Sequence, residues 1–180
     1  MNRLVFNSPN GPLDLYTPRF VRGSGGDKVG LCPICIEPVE RGGRGLKMFA
    51  KTKVSAYNYH LQYYHGISSK TGLPYSPPIE FRTTLRDAAF EPDDPTKVKS
   101  KSLSKKTSRK NMMEGRCHAC GEWVALQGTK DVDVLVKELY WWKHAASCHR
   151  GTTIAGEGDY FVHDEVWARI REFSRQKEFL

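Results

Sequence analysis

A small α+β chain, built from short elements and held together by something other than one large apolar core, is the fold class this sequence predicts. Three observations carry that reading. Only 39% of the 180 residues are apolar while 27% are charged, and mean hydropathy is -0.56, so core-forming material is scarce. Sixteen glycines and ten prolines interrupt long helices and strands. Four of the five cysteines stand in two Cys-x-x-Cys pairs, each followed by histidines, which is the spacing of metal sites and not of disulfides.

The first set is Cys32-x2-Cys35, 24 intervening residues, then His60-x4-His65. The second is Cys117-x2-Cys120, 23 intervening residues, then His144 followed by Cys148 and His149. Zinc takes four soft or borderline ligands in a tetrahedron, and a Cys-x-x-Cys turn offers two sulfurs while histidines about one helical turn apart offer two nitrogens. A redox pair or two buried apolar thiols would not require the later histidines. Four protein ligands leave no open position for water, so two structural zinc ions are expected, each contributing roughly 10 to 16 kcal/mol of folding energy. His149 repeats the spacing of the first set and is the favoured fourth ligand of the second; Cys148, four residues after His144 on the same helical face, is the alternative. His118 and His163 read as ordinary exposed histidines.

The elements follow in order. Residues 1–90 hold an irregular lead segment and the first zinc unit. Pro18 blocks a helix there, and Phe20 and Val21 favour an extended stretch before the turn at Gly23 to Gly26. The knuckle at Cys32 is followed by a Gly- and Arg-rich loop and a helix near Thr52 to Tyr64 that is expected to carry the histidines of the first set. Thr71 to Pro78, with three prolines, reads as an extended surface strap. Residues 91–114, rich in Lys, Ser and Thr and nearly free of apolar residues, have the composition of a basic flexible linker. Residues 115–180 repeat the first unit with a helix from about Val132 to Ser147, N-capped by Asp131 or Asp133. An amphipathic C-terminal helix, His163 to Phe179, follows. The predicted architecture is thus zinc-stabilised α+β, with two zinc-finger-like units of knuckle, loop and His-bearing helix.

Lys and Arg number 28 against 20 Asp and Glu, a formal net charge of +8 and a pI near 9.3, so acidic partners are expected. No run approaches a membrane span and the first residues do not read as a secretory signal, which points to an intracellular protein. Arg19, Arg22 and Arg44 are candidates to reach base edges, and Lys47, Lys51, Lys53, Lys143 and Arg150 to meet phosphates. Tyr63, Trp123 and Trp141 are expected to cover the metal rather than to stack on bases.

Tyr16-Thr-Pro-Arg-Phe-Val-Arg-Gly23, Gly30-Leu-Cys-Pro-Ile-Cys35, Tyr59-His60 through His65-Gly-Ile-Ser68, Cys117-His-Ala-Cys120, and Trp142-Lys-His-Ala145 leading to Cys148-His149 cover most of Leu15 to His149. Together these stretches resemble the C-terminal zinc-binding domain of fungal transcription regulators typified by the regulator of ustilagic acid synthesis. The resemblance implies a nuclear, sequence-specific DNA-binding regulator with zinc-finger-like units. Double-stranded DNA and other transcription proteins are the expected partners; the closed four-ligand sites argue against an enzyme, and neither a membrane nor a small-molecule substrate is expected. The 23- and 24-residue gaps are about twice that of the usual Cys-Cys-His-His finger, so its base-contact positions do not transfer. The alternative is a zinc scaffold for RNA or protein partners; a zinc-dependent nuclease ranks third.

Overall fold

The computed structural model describes residues 3–11, 13–53, 55–85, 109–157 and 172. The expected C-terminal helix and the part of the linker before residue 109 lie outside these, apart from Glu172. The chain falls into two compact units, Met1–Ser76 with Trp142–Leu180, and Pro77–Trp141.

In the first unit, β1 (Val5–Phe6), β2 (Phe20–Arg22), β3 (Val29–Leu31) and β4 (Phe49–Lys51) form an antiparallel sheet in chain order. Val21, Gly30 and Ala50 lie side by side across it and are buried. Alternation along a strand puts Phe20, Arg22, Phe49 and Lys51 on the opposite face. The core gathers Cys32, Cys35, Ala50, Tyr57, Leu61 and Ile67. Helix α1 spans Ala56–Tyr64, starting later than its sequence pattern suggests. Thr52 is still tied to the sheet, its backbone N–H donating to the Lys28 carbonyl at 3.0 Å. Ser55 then takes a left-handed conformation (φ 63°), so the chain turns before the helix begins.

Two features of this unit had no sequence signal. Asp14, only 7% exposed, accepts backbone hydrogen bonds from Asn10 (2.9 Å), Tyr16 (2.8 Å) and Thr17 (2.9 Å), and so shapes the lead segment. After α1 the chain folds back, pairing Ile67 with Pro74 and sending the Tyr75 N–H to the Gly66 carbonyl. Tyr75 and Ser76 are buried, so this stretch is a packed return rather than a surface strap, because Tyr75 donates to Gln62 Oε1 at 3.0 Å.

In the second unit, β5 (Glu80–Leu85), β6 (Asn111–Arg116) and β7 (Trp123–Ala125) form an antiparallel sheet. Residues 111–114, read from composition as linker, are strand, because each pairs with a residue of β5. That pairing also joins β5, on the near side of the linker, to the second Cys knuckle. Helix α2 spans Leu139–Ser147, and the division between the units falls within it. It starts seven residues after the expected Val132. Arg109 meets Asp131 at 3.0 Å and donates to the Lys130 and Val132 carbonyls, so Asp131 serves an ion pair and not a helix cap.

The two halves repeat one design. A proline, a strand, a strand ending in Gly-x-Cys, the knuckle, a third strand and a helix follow in the same order as Pro18–β2–β3–β4–α1 and Pro78–β5–β6–β7–α2. The registers agree: Gly30 lies between Val21 and Ala50, and Gly115 between Phe81 and Val124. No helix among the described residues is long and apolar enough to cross a membrane.

Candidate metal centre

The first ligand set converges within one unit. Strand β3 delivers Cys32 to a tight turn in which the Cys35 N–H points at Cys32 Sγ at 3.3 Å, an arrangement that directs both sulfurs to one side. The following loop returns to the knuckle, with the Leu46 N–H donating to the Cys35 carbonyl at 2.8 Å. His60 comes from the middle of α1 and His65 from its C-terminal end, across the knuckle.

The distances match a tetrahedral ion. Cys32 Sγ lies 3.5 Å from His65 Nε2, Cys35 Sγ lies 3.4 Å from His60 Nε2 and 3.2 Å from His65 Nε2, and the two Nε2 atoms are 3.2 Å apart. Bonds of about 2.3 Å to sulfur and 2.0 to 2.1 Å to nitrogen give tetrahedral edges of about 3.6 Å for S–N and 3.3 Å for N–N. All four atoms lie within 4.8 Å of one another, and both cysteines are fully buried. Two thiols and two imidazoles in this arrangement can hold a metal ion.

Electrostatics agree with that use. Burial, then His60 and the Arg44 guanidinium, lower the His65 pKa to about 4; burial and Arg44 lower that of His60 as well. Both rings are therefore neutral at pH 7, with a lone pair to donate. Burial, then the neighbouring Cys32, push the Cys35 thiol up to about 12, with Arg44 opposing. A metal ion reverses such a shift by taking the thiolate as ligand. Around the ligands, Tyr64 stacks on His60 at 5.3 Å between centroids, and the Arg44 guanidinium lies 5.3 Å from the Tyr64 ring centre.

The second set is divided between the two units. Cys117 and Cys120 belong to Pro77–Trp141, their sulfurs within 4.8 Å of each other in a turn closed by the Gly121 N–H on the Cys117 carbonyl at 2.9 Å. Gly121 has φ 73°, the left-handed conformation glycine adopts without strain. His144, Cys148 and His149 belong to the other unit. There the Cys148 N–H donates to the His144 carbonyl at 2.8 Å, continuing the helical turn, and their ligand atoms lie within 4.8 Å. His149 is 2% exposed and meets Tyr75 edge-on at 6.2 Å.

The sequence-predicted basic residues have varied surroundings. Arg19 donates to the Asp14 and Thr17 carbonyls at 2.5 and 2.8 Å, so its guanidinium holds the lead segment in place. Arg22 lies over the Phe49 ring at 4.1 Å and is exposed. Lys51 meets Asp27 at 3.2 Å. Lys47, Lys53, Lys143 and Arg150 are exposed, and the Arg150 carbonyl accepts from Ser68 Oγ. Trp141 is buried as expected, Tyr63 stacks on Tyr59, and Trp123 lies under Arg82 at 4.2 Å.

Comparison with known proteins adds the family. The chain is 45% identical over 141 residues to meiotic expression up-regulated protein 26 of Schizosaccharomyces pombe, covering 78% of this chain and 36% of that protein. It is 32% identical over 146 residues to the transcription regulator rua1 of Mycosarcoma maydis, covering 79% of this chain and 14% of that protein. The chain therefore spans well under half the length of either relative. No solved structure matches it. The family profile described as the C-terminal part of transcription regulator Rua1 matches residues 10–149, which include both Cys pairs and all the histidines after them to His149, and the chain belongs to that family of transcription regulators.

Proposed function

We propose that this chain is a zinc-dependent domain of a nuclear fungal transcription regulator, without catalytic activity, that binds double-stranded DNA: two structural zinc ions hold the fold, and basic side chains grip the duplex. The observation that carries the reading is the tetrahedral spacing of Cys32, Cys35, His60 and His65. A closed site of this kind stabilises and does not catalyse, because no coordination position is left for substrate or water. For the second ion the proposal rests on the repeated sequence pattern, with Cys117, Cys120 and His144 as ligands. Cys148 is preferred to His149 as the fourth, because its sulfur accompanies the His144 ring on one helical turn while His149 packs against Tyr75.

The family and the net charge of +8 support a nucleic-acid partner. Arg22, Arg44, Lys47, Lys51, Lys53, Lys143 and Arg150 would supply the contacts, while Arg19 acts mainly by ordering the segment that carries Arg22. Zinc analysis of the purified chain, followed by mobility-shift titration against random-sequence duplexes with and without chelator, tests the proposal. Binding that disappears with the metal supports it; no binding to any duplex at low salt ends it.

A further inference from the structure

The repeat makes the outer faces of the two sheets comparable position by position. In the second unit that face is closed by ion pairs: Arg82 meets Glu114 at 2.6 Å, Arg116 meets Glu80 at 3.0 Å, and Arg82 covers the Trp123 ring at 4.2 Å. The first unit keeps the same arginine on the same aromatic position, Arg22 over Phe49 at 4.1 Å. Its carboxylates are gone. By register, Phe20 stands where the second unit has Glu80, and Val29 where it has Glu114. Strand β1 adds Phe6, paired with Phe20 edge-on at 5.8 Å between centroids. Phe6 is 63% and Phe20 38% exposed.

This scaffold can close its outer face with ion pairs, as the second unit does, so the exposed phenylalanines and the arginine without a carboxylate in the first unit are not demanded by the fold. Exposed aromatics clustered beside cations favour one kind of occupant, a flat ring attached to an anionic backbone. A second copy of the chain would bring the same cations against themselves. Arg22 and Lys51 both lie on this face, and the acidic neighbour in the region, Asp27, is engaged with Lys51.

We propose that the face formed by Phe6, Phe20, Arg22, Phe49 and Lys51 is a stacking platform for unpaired bases of single-stranded nucleic acid, sharing Arg22 and Lys51 with the duplex grip proposed above and differing from it in the use of the exposed rings. Bases lie on Phe6 and Phe20 and against the exposed guanidinium of Arg22, which Phe49 holds flat, while Lys51 faces the phosphates.

The test uses the whole metal-loaded chain and fluorescence anisotropy with labelled mixed-sequence single-stranded DNA, the same sequence as RNA, and the matching duplex. Phe20→Ala should weaken single-strand binding roughly 5- to 150-fold, the range for losing one stacked base. Val29→Glu copies the second unit's solution, a carboxylate beside the arginine, and should weaken it at least about tenfold while zinc content and circular dichroism stay unchanged. Unchanged single-strand affinity in a folded Val29→Glu protein overturns the platform, as does a wild-type dimer that Phe20→Ala converts to monomer. Duplex binding on the same samples reports separately: its absence beside intact single-strand binding removes only the duplex reading, and the converse removes only the platform.

Discussion

Gly30 sits so close beneath Pro18 that a Cβ added to it would stand 2.7 Å from the ring's Cγ, and Gly115 stands in the same relation to Pro78, 2.7 Å from its Cβ. Each glycine is two residues before the first cysteine of a knuckle, at the centre of its sheet. Neither contact can relax easily, because a proline ring and strand backbone meet there. Gly30→Ala and Gly115→Ala should each cost about 1 to 3 kcal/mol, read as a lower midpoint in chemical denaturation. Gly26→Ala, with nothing within 4 Å, should stay within about 0.5 kcal/mol.

Removal of metal should unfold the first unit. Its core consists largely of the ligands and what touches them, Cys32, Cys35, Tyr57 and Leu61 among them, and roughly 10 to 16 kcal/mol of binding energy per zinc is as large as the whole stability of a typical small domain, about 5 to 15 kcal/mol. Chelator should abolish the helical circular-dichroism signal, and added zinc should restore it. His65→Ala should lower zinc from two ions per chain toward one. Retention of the fold after complete chelation would refute the structural role.

The fourth ligand of the second set can be read by substitution. Cys148→Ala is expected to lower zinc content by about one ion, whereas His149→Ala should keep the ion and lose stability, since His149 is buried against Tyr75. Full occupancy in Cys148→Ala would return the role to His149.

Asp14 should make stability depend on pH. Burial by itself raises its pKa, but hydrogen bonds from Thr17, Asn10 and Tyr16 outweigh burial and leave it below the ordinary carboxyl value. A lowered folded-state pKa means stabilisation that is full above pH about 4 and lost as pH falls through the folded-state value. Asp14→Asn should therefore cost about 1 kcal/mol at pH 7. That cost should shrink in denaturation curves taken at progressively lower pH, below about 4.

The sequence by itself determined which two cysteines and two histidines make up the first candidate centre, the repeat and the extended stretch at Phe20 and Val21, because cysteine and histidine spacing and β-branched or aromatic residues next to a proline act through local geometry. It also determined the family, through motifs spread over most of the chain. Helix starts were decided in three dimensions: Thr52 is held by Lys28 and Asp131 by Arg109, partners that lie distant along the chain and leave no periodic trace. Tertiary structure likewise decided that residues 111–114 are strand, since Met112 and Met113 gain their role only by pairing with Thr84 and Thr83. It alone placed Arg22 on Phe49 and Arg82 on Trp123, because a stack across a sheet depends on register between strands, and register is set by which faces are buried together.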